Sequence, residues 1–120
     1  MGSHIADRCL AEGHTVSGCD NLIGGYLDNV PSGAGFHQID CNDFAPLSAL
    51  LKEVDIVYHC AATAYEGLSV FSPHLVTQNV VTATSGVVSA AAAAGVKRFI
   101  LWSSMARYGA NEVPFTEDMV

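Results

Sequence analysis

The sequence predicts an α/β fold built on a doubly wound parallel sheet. Short apolar strands alternate with helical patterns along the chain, which is the order that gives parallel strands joined by helical crossovers. The predicted strands end at acidic, small or hydroxyl residues. Glycine and proline separate several of the elements. In such sheets the carboxyl ends of the strands gather at one edge, where ligands bind.

The first half of the chain carries two predicted helices and two predicted strands: helix 2–12, strand 15–19, a glycine-rich loop over 22–35, strand 36–39, and a helix from about 43 to 52. Gly13 is the expected end of the first helix. Asp43 is the expected N-cap of the second. Leu47, Leu50 and Leu51 are expected to face the core.

The second half carries strand 54–60, a long helix over 74–94 that Gly95 ends, strand 99–102, and a loop over 110–120. His59 lies among the apolar residues of its strand and is interpreted as a structural histidine. Trp102 is expected in the core or in a pocket wall. Asn79 lies inside the long helix, where asparagine is a poor helix former. It is either a solvent-facing polar residue or a functional one.

Composition limits the possible functions. The chain has 120 residues, enough for one domain, and a net charge of -7, which argues against a nucleic-acid or anionic-membrane surface. No signal peptide is visible, and the longest apolar stretch is too short to span a bilayer. The four cysteines are widely separated, with no metal-ligand spacing. We interpret them as reduced, packed thiols of a cytoplasmic protein.

Four predicted strand ends place polar or small residues at one edge of the sheet: Asp20, Asp40, Cys60-Ala61-Ala62 and Ser103-Ser104. In a complete dinucleotide fold, an acidic residue after the second strand accepts hydrogen bonds from the adenosine ribose. Asp20 is the candidate for this role. A carboxylate there also repels a 2'-phosphate, which favours NAD over NADP. The spacing leaves a second interpretation of Asp20 open, as the Asx residue that starts a turn.

Several segments carry a family resemblance, in the same order and at similar separations: Gly2-Ser3-His4-Ile5-Ala6, Val16 to Leu22, Val57 to Ala62, Ser103 to Gly109, and Pro114 to Glu117. They resemble the NAD-dependent epimerase/dehydratase family of extended short-chain dehydrogenase/reductases, whose members act on nucleotide sugars. The resemblance implies a Rossmann-type fold and NAD as cofactor.

The resemblance also implies roles for individual residues. Ser104, four residues before Tyr108, is implied to be the active-site hydroxyl that bonds the sugar hydroxyl or ketone. Asp20 is implied to hold the adenosine ribose, Asp40-Cys41 the adenine, and Asn79 the nicotinamide side. The residues with implied cofactor-binding roles are Gly2, Asp20, Asn21, Asp40, Cys41, Cys60, Ala61, Ala62, Asn79 and Ser103.

The sequence departs from the family pattern in three places. The first strand and most of the glycine-rich loop would precede Met1, and the catalytic Tyr-x-x-x-Lys would follow Val120. Dehydratases carry Thr-Asp-Glu at the position of Ser104-Met105-Ala106, so the pattern favours an epimerase or reductase. We therefore expect a partial Rossmann domain, truncated at both ends and without a substrate domain.

The leading hypothesis is a piece of an NAD-dependent nucleotide-sugar epimerase, homodimeric when intact, that transfers hydride through a keto-sugar intermediate. By itself it is expected to be inactive. It is also expected to be marginally stable, aggregation-prone, or rearranged so that strands 15–19 and 54–60 pair directly. The alternatives are an NAD(P)-dependent ketone reductase of the same extended fold and a non-catalytic dinucleotide-binding sensor.

Overall fold

The computed structural model describes residues 1–119. The regular elements are α1 (Gly2–Ala11), β1 (Ser17–Asp20), β2 (Gly35–Gln38), α2 (Phe44–Leu50), β3 (Ile56–His59), α3 (Leu68–Phe71), α4 (Pro73–Thr77), a π-helical segment (Gln78–Thr82), α5 (Ala83–Ala94) and β4 (Arg98–Leu101). Two short 3-10 helices lie in loops, at Leu27–Asn29 and Met105–Tyr108. The predicted alternation of strands and helices is confirmed.

The strands form two parallel ladders of two strands each. In one, β1 pairs with β2 from Ser17 opposite Gly35 to Asp20 opposite Gln38. In the other, β3 pairs with β4 in the same direction. The parallel arrangement is as expected, but direct pairing of β1 with β3 does not occur among residues 1–119. Residues of both ladders pack against the core cluster of α2 and α5.

The core lies between α2, α5 and the two ladders. Its most buried cluster consists of Leu47, Leu51, Val87, Ala90 and Ala91, with Cys19, Val57 and Phe99 among the half-buried residues packed against it. Leu47 and Leu51 face inward as predicted, whereas Leu50 is only half-buried. The radius of gyration is 15.5 Å, against about 13–14 Å for a compact domain of this length. The chain therefore buries a thin core for its size.

The helix ends follow local backbone chemistry. Gly95 closes α5 in the left-handed conformation (φ 75°), as predicted. Asp43 occupies the N-cap position of α2, but its side chain makes no capping hydrogen bond. A capping side chain bonds the second or third helical N–H, and the third residue here is Pro46, which has none. The predicted N-cap position of Asp43 is therefore confirmed, but its side chain does not satisfy a helical N–H.

The predicted helix over 74–94 is continuous but not uniform. It starts at Pro73, and one turn at Gln78–Thr82 is π-helical. Hydrophobic periodicity does not reveal such a turn, because the inserted residue shifts the pattern by only one position. π-Helical turns are rare and often lie at functional sites. Within the described part of the chain, no helix combines the length and apolarity needed to cross a bilayer.

Candidate functional site

Asp20 stands at the carboxyl end of β1 with an exposed side chain. Its Oδ1 accepts a hydrogen bond from the backbone N–H of Leu22 at 2.7 Å, which starts the turn that leaves the strand. Its Oδ2 has no hydrogen-bond partner among residues 1–119. The turn-forming interpretation of Asp20 is therefore confirmed, and one carboxylate oxygen remains free to accept from a ligand hydroxyl.

The loop after β1 folds back over this carboxylate at Gly25. A Cβ added to Gly25 would lie 2.9 Å from Oδ2 and 3.0 Å from Cγ of Asp20, closer than a stable contact allows. Glycine is therefore the residue that lets the loop close without displacing the Asp20 carboxylate. The role of Gly25 was not predicted, although a Gly24-Gly25 pair soon after Asp20-Asn21 is a visible signal in the sequence.

Asn21 and Asp40 join the ends of β1 and β2. The Asn21 amide donates to Oδ2 of Asp40 at 2.8 Å. Oδ1 of Asp40 accepts from the backbone N–H and the side-chain amide of Asn42, at 2.8 and 2.9 Å. These bonds, led by that from Asn21, hold the pKa of the Asp40 carboxyl below its usual value. Asp40 thus ties the two strand ends together next to Asp20.

Cys60, Ala61 and Ala62 follow β3 as predicted. A Cβ added to Gly2 would lie 3.9 Å from Cβ of Cys60, so the N-terminus of α1 lies against the end of this strand. Burial raises the pKa of the Cys60 thiol, and the nearby amino terminus opposes that shift. Ala61 and Ala62 are exposed and leave the backbone open to close approach.

Asn79 lies in the π-helical turn and is half-buried. Its amide donates to Oγ1 of Thr63 at 3.0 Å, which fixes the loop after β3 to the long helix. The alternative that Asn79 faces solvent is therefore wrong. Thr63 was missed, because a threonine in a loop carries no periodic signal.

Ser103 and Ser104 follow β4 and are exposed. Oγ of Ser104 accepts from the backbone N–H of Ala106 at 3.1 Å and so caps the 3-10 helix Met105–Tyr108. No hydrogen bond among residues 1–119 joins Ser104 to Asn79 or Thr63. Trp102, before the serine pair, is 46% exposed, so it does not lie in the core, and its alternative place in a pocket wall stays a prediction. Strand β4 ends one residue earlier, at Leu101.

His59 is a buried structural residue, as predicted. It is 5% exposed, Nε2 lies 2.9 Å from Oγ1 of Thr84, and the ring packs 5.9 Å from that of Phe99. Burial lowers the pKa of His59, because the charged ring would lose its hydration. The neutral form is therefore the one that the fold stabilises.

We expect the free energy of unfolding to fall as the pH drops below about 6.5, the ordinary histidine pKa. Between this pKa and the lowered pKa of the folded chain, His59 binds a proton in the unfolded chain but not in the folded chain. Protonation therefore favours unfolding over this pH range, and the loss of stability levels off below the lowered pKa. Urea midpoints between pH 7.5 and 5.5 measure this fall. His59→Gln should flatten it, and His14→Gln, at an exposed position, should not. An equal fall in both variants would contradict the assignment.

Comparison with known proteins gives the context of this geometry. The family model for the NAD dependent epimerase/dehydratase family matches residues 1–120. A UDP-glucose 4-epimerase of Streptomyces lividans is 33% identical over 121 residues, which cover 98% of this chain and 37% of that protein. The chain thus spans little more than a third of the length of that relative.

Solved structures show the same fold. A UDP-glucose 4-epimerase structure superposes with a TM-score of 0.93 at 30% identity, over 99% of this chain and 37% of that one. The UDP-glucose-4-epimerase of Stenotrophomonas maltophila, with bound NAD and formylated UDP-arabinopyranose, has a TM-score of 0.90 at 26% identity, over 98% of this chain and 38% of that one. The predicted Rossmann-type fold is confirmed.

Proposed function

Because the chain belongs to the NAD-dependent epimerase/dehydratase family, we propose that residues 1–120 form the adenosine half of the NAD site of a nucleotide-sugar epimerase. The observation that supports this most directly is the Asp20 carboxylate. One of its oxygens shapes the loop, and the other is an exposed acceptor at the end of β1 that has no hydrogen-bond partner within residues 1–119. Ribose presents two adjacent hydroxyl donors, which such an acceptor suits.

The surrounding residues fit a dinucleotide. Gly25 leaves space for the Asp20 carboxylate, and Asn21 fixes the next strand end through Asp40. Exposed Ala61 and Ala62 leave room for a flat ligand along the end of β3. When bound, NAD supplies the hydride acceptor and donor. The negative charge of Asp20 disfavours the 2'-phosphate of NADP, so NAD is the proposed cofactor.

The substrate-binding side of the proposed site is formed by Ser103, Ser104 and the π-helical turn. We propose that the Ser104 hydroxyl orients the reacting sugar hydroxyl, and that Asn79, held by Thr63, supports the nicotinamide side. Residues 1–120 contain no Tyr-x-x-x-Lys, since Glu112 stands four residues after Tyr108. We therefore propose that this chain by itself binds the dinucleotide without catalysing epimerisation.

The nucleotide-sugar substrate is a proposal taken from the relatives, which are named as UDP-sugar epimerases. A homodimer is proposed from the apolar residues that the helical layer leaves uncovered, among them Val70, Phe71 and Val81, which are 77%, 88% and 61% exposed. A cytoplasmic location stays a prediction from the four widely separated cysteines, and the expectation of no nucleic-acid or membrane partner stays a prediction from the net charge of -7.

Two measurements test the proposal. The 120-residue chain should bind NAD in an equilibrium titration, and the protein as the cell produces it should convert UDP-glucose into its 4-epimer without net consumption of NAD. Stoichiometric oxidation of NADPH with a ketone would favour the reductase. NAD binding without any turnover of sugar or ketone would favour the sensor. Failure of the chain to bind NAD would overturn the proposed site.

A further inference from the structure

Arg107 lies beyond the carboxyl end of β4, at the edge of the sheet where ligands bind in this architecture. The chain has five lysine and arginine residues. The other four belong to α1 or to the segments that precede or begin strands β3 and β4: Arg8, Lys52, Lys97 and Arg98. An anionic ligand at the carboxyl edge therefore meets a single lysine or arginine side chain, in a chain of net charge -7.

The guanidinium of Arg107 is oriented by an aromatic pair. Its Cζ lies 4.8 Å from the centroid of the Tyr108 ring. That ring stacks on Phe115, with 5.0 Å between the centroids and 18° between the planes. Arg107 forms no ion pair within residues 1–119, although acidic residues follow in the same loop. The cation–π contact thus restricts the side chain while its charge stays unpaired by any carboxylate of the described chain.

One turn of 3-10 helix joins Arg107 to Ser104. The backbone N–H of Arg107 donates to the carbonyl oxygen of Ser104 at 3.2 Å, and the Ser104 side chain caps the same helix. Three residues make one 3-10 turn at a rise of about 2 Å each, so the two positions lie about 6 Å apart along the helix axis. Both side chains are exposed. An anion bound by Arg107 would therefore lie near a group that bonds the Ser104 hydroxyl.

We propose that Arg107 binds an oxyanion of the substrate, which is either the diphosphate of the nucleotide sugar or a carboxylate on the sugar itself. A guanidinium recognises both anions through paired N–H bonds, and its planar shape makes it better suited to them than a lysine ammonium. This inference rests on the proposed function, because it assigns a charged substrate group to the Ser104 side of the same site.

The test measures KM and kcat for UDP-glucose and for UDP-glucuronate, with the protein as the cell produces it. Arg107→Gln should raise KM by about 10- to 100-fold, the effect of losing hydrogen bonds to a charged group, and should change kcat far less. Arg107→Lys keeps the charge and should recover part of the loss. Arg98→Gln makes the same change at an exposed position at the start of β4 and should leave KM unchanged.

The two substrates identify the anion. An equal rise in KM for both assigns Arg107 to the diphosphate, and a rise confined to UDP-glucuronate assigns it to the sugar carboxylate. An unchanged KM for both substrates in Arg107→Gln, an equal rise in Arg98→Gln, or a loss that Arg107→Lys does not reduce would overturn the inference. The last result would mean that the stack on Tyr108, and not the charge, is what matters.

Equilibrium titration of the same variants with both UDP-sugars separates this inference from the proposed function. If the wild-type protein binds a UDP-sugar without epimerising it, the proposed function fails, and a weaker affinity of Arg107→Gln still supports the anion site. If the wild-type protein epimerises UDP-glucose and Arg107→Gln binds both UDP-sugars equally well, only the anion site fails. Binding of neither UDP-sugar by the wild-type protein would overturn both.

Discussion

Replacing Asp20 by alanine is expected to weaken NAD binding by about 10- to 100-fold, the effect of losing hydrogen bonds to a charged acceptor. The same variant should bind NAD and NADP about equally, because the charge that repels the 2'-phosphate is gone. Equilibrium titration of the 120-residue chain with each dinucleotide measures both effects. An unchanged preference for NAD would remove Asp20 from the ribose site.

Asp20→Asn separates the two functions of this side chain. Asparagine keeps an Oδ1 that accepts from the Leu22 N–H, so the turn after β1 should stay intact. It loses the negative charge, so discrimination against NADP should relax as in Asp20→Ala. If Asp20→Asn retained full preference for NAD while Asp20→Ala lost it, the turn and not the charge would determine cofactor choice.

Replacing Ser104 by alanine is expected to lower turnover by about 10²-fold or more, the scale of losing a positioned hydrogen-bond donor. The measurement is kcat for UDP-sugar epimerisation by the protein as the cell produces it. Ser104 also caps the 3-10 helix through the Ala106 N–H, and loss of a cap costs about 1 kcal/mol of stability. The two effects have to be measured separately.

Two further variants at position 104 separate the loss of the hydroxyl from the loss of the helix cap. Ser104→Thr keeps both the hydroxyl and the capping acceptor and should retain most of the activity. Ser104→Asp keeps a capping acceptor but has no hydroxyl, so it should fold normally and stay as inactive as Ser104→Ala. Wild-type turnover in Ser104→Ala, or full activity in Ser104→Asp, would leave Ser104 with the capping role alone.

The candidate site could be predicted from the sequence where a residue type and a strand end coincide. Asp20 and Asp40 were identified in this way, and both lie where strands β1 and β2 end. The partners that complete their environment were not, because Gly25, Asn42 and Thr63 lie in loops whose side-chain positions no periodicity specifies. Asn79 was identified as unusual in a helix, but its bond to Thr63 depends on the π-helical turn.

The sequence by itself determined the order of the elements, the parallel strands and the family, because apolar periodicity, glycine positions and short motifs are local properties of the chain. Only the tertiary structure decided that β1 and β3 stay in separate ladders, that Asn79 bonds Thr63, and that Trp102 is exposed. These features depend on how the α2–α5 layer positions distant segments in space. The packing of that layer follows from the fold as a whole, and no local segment specifies it.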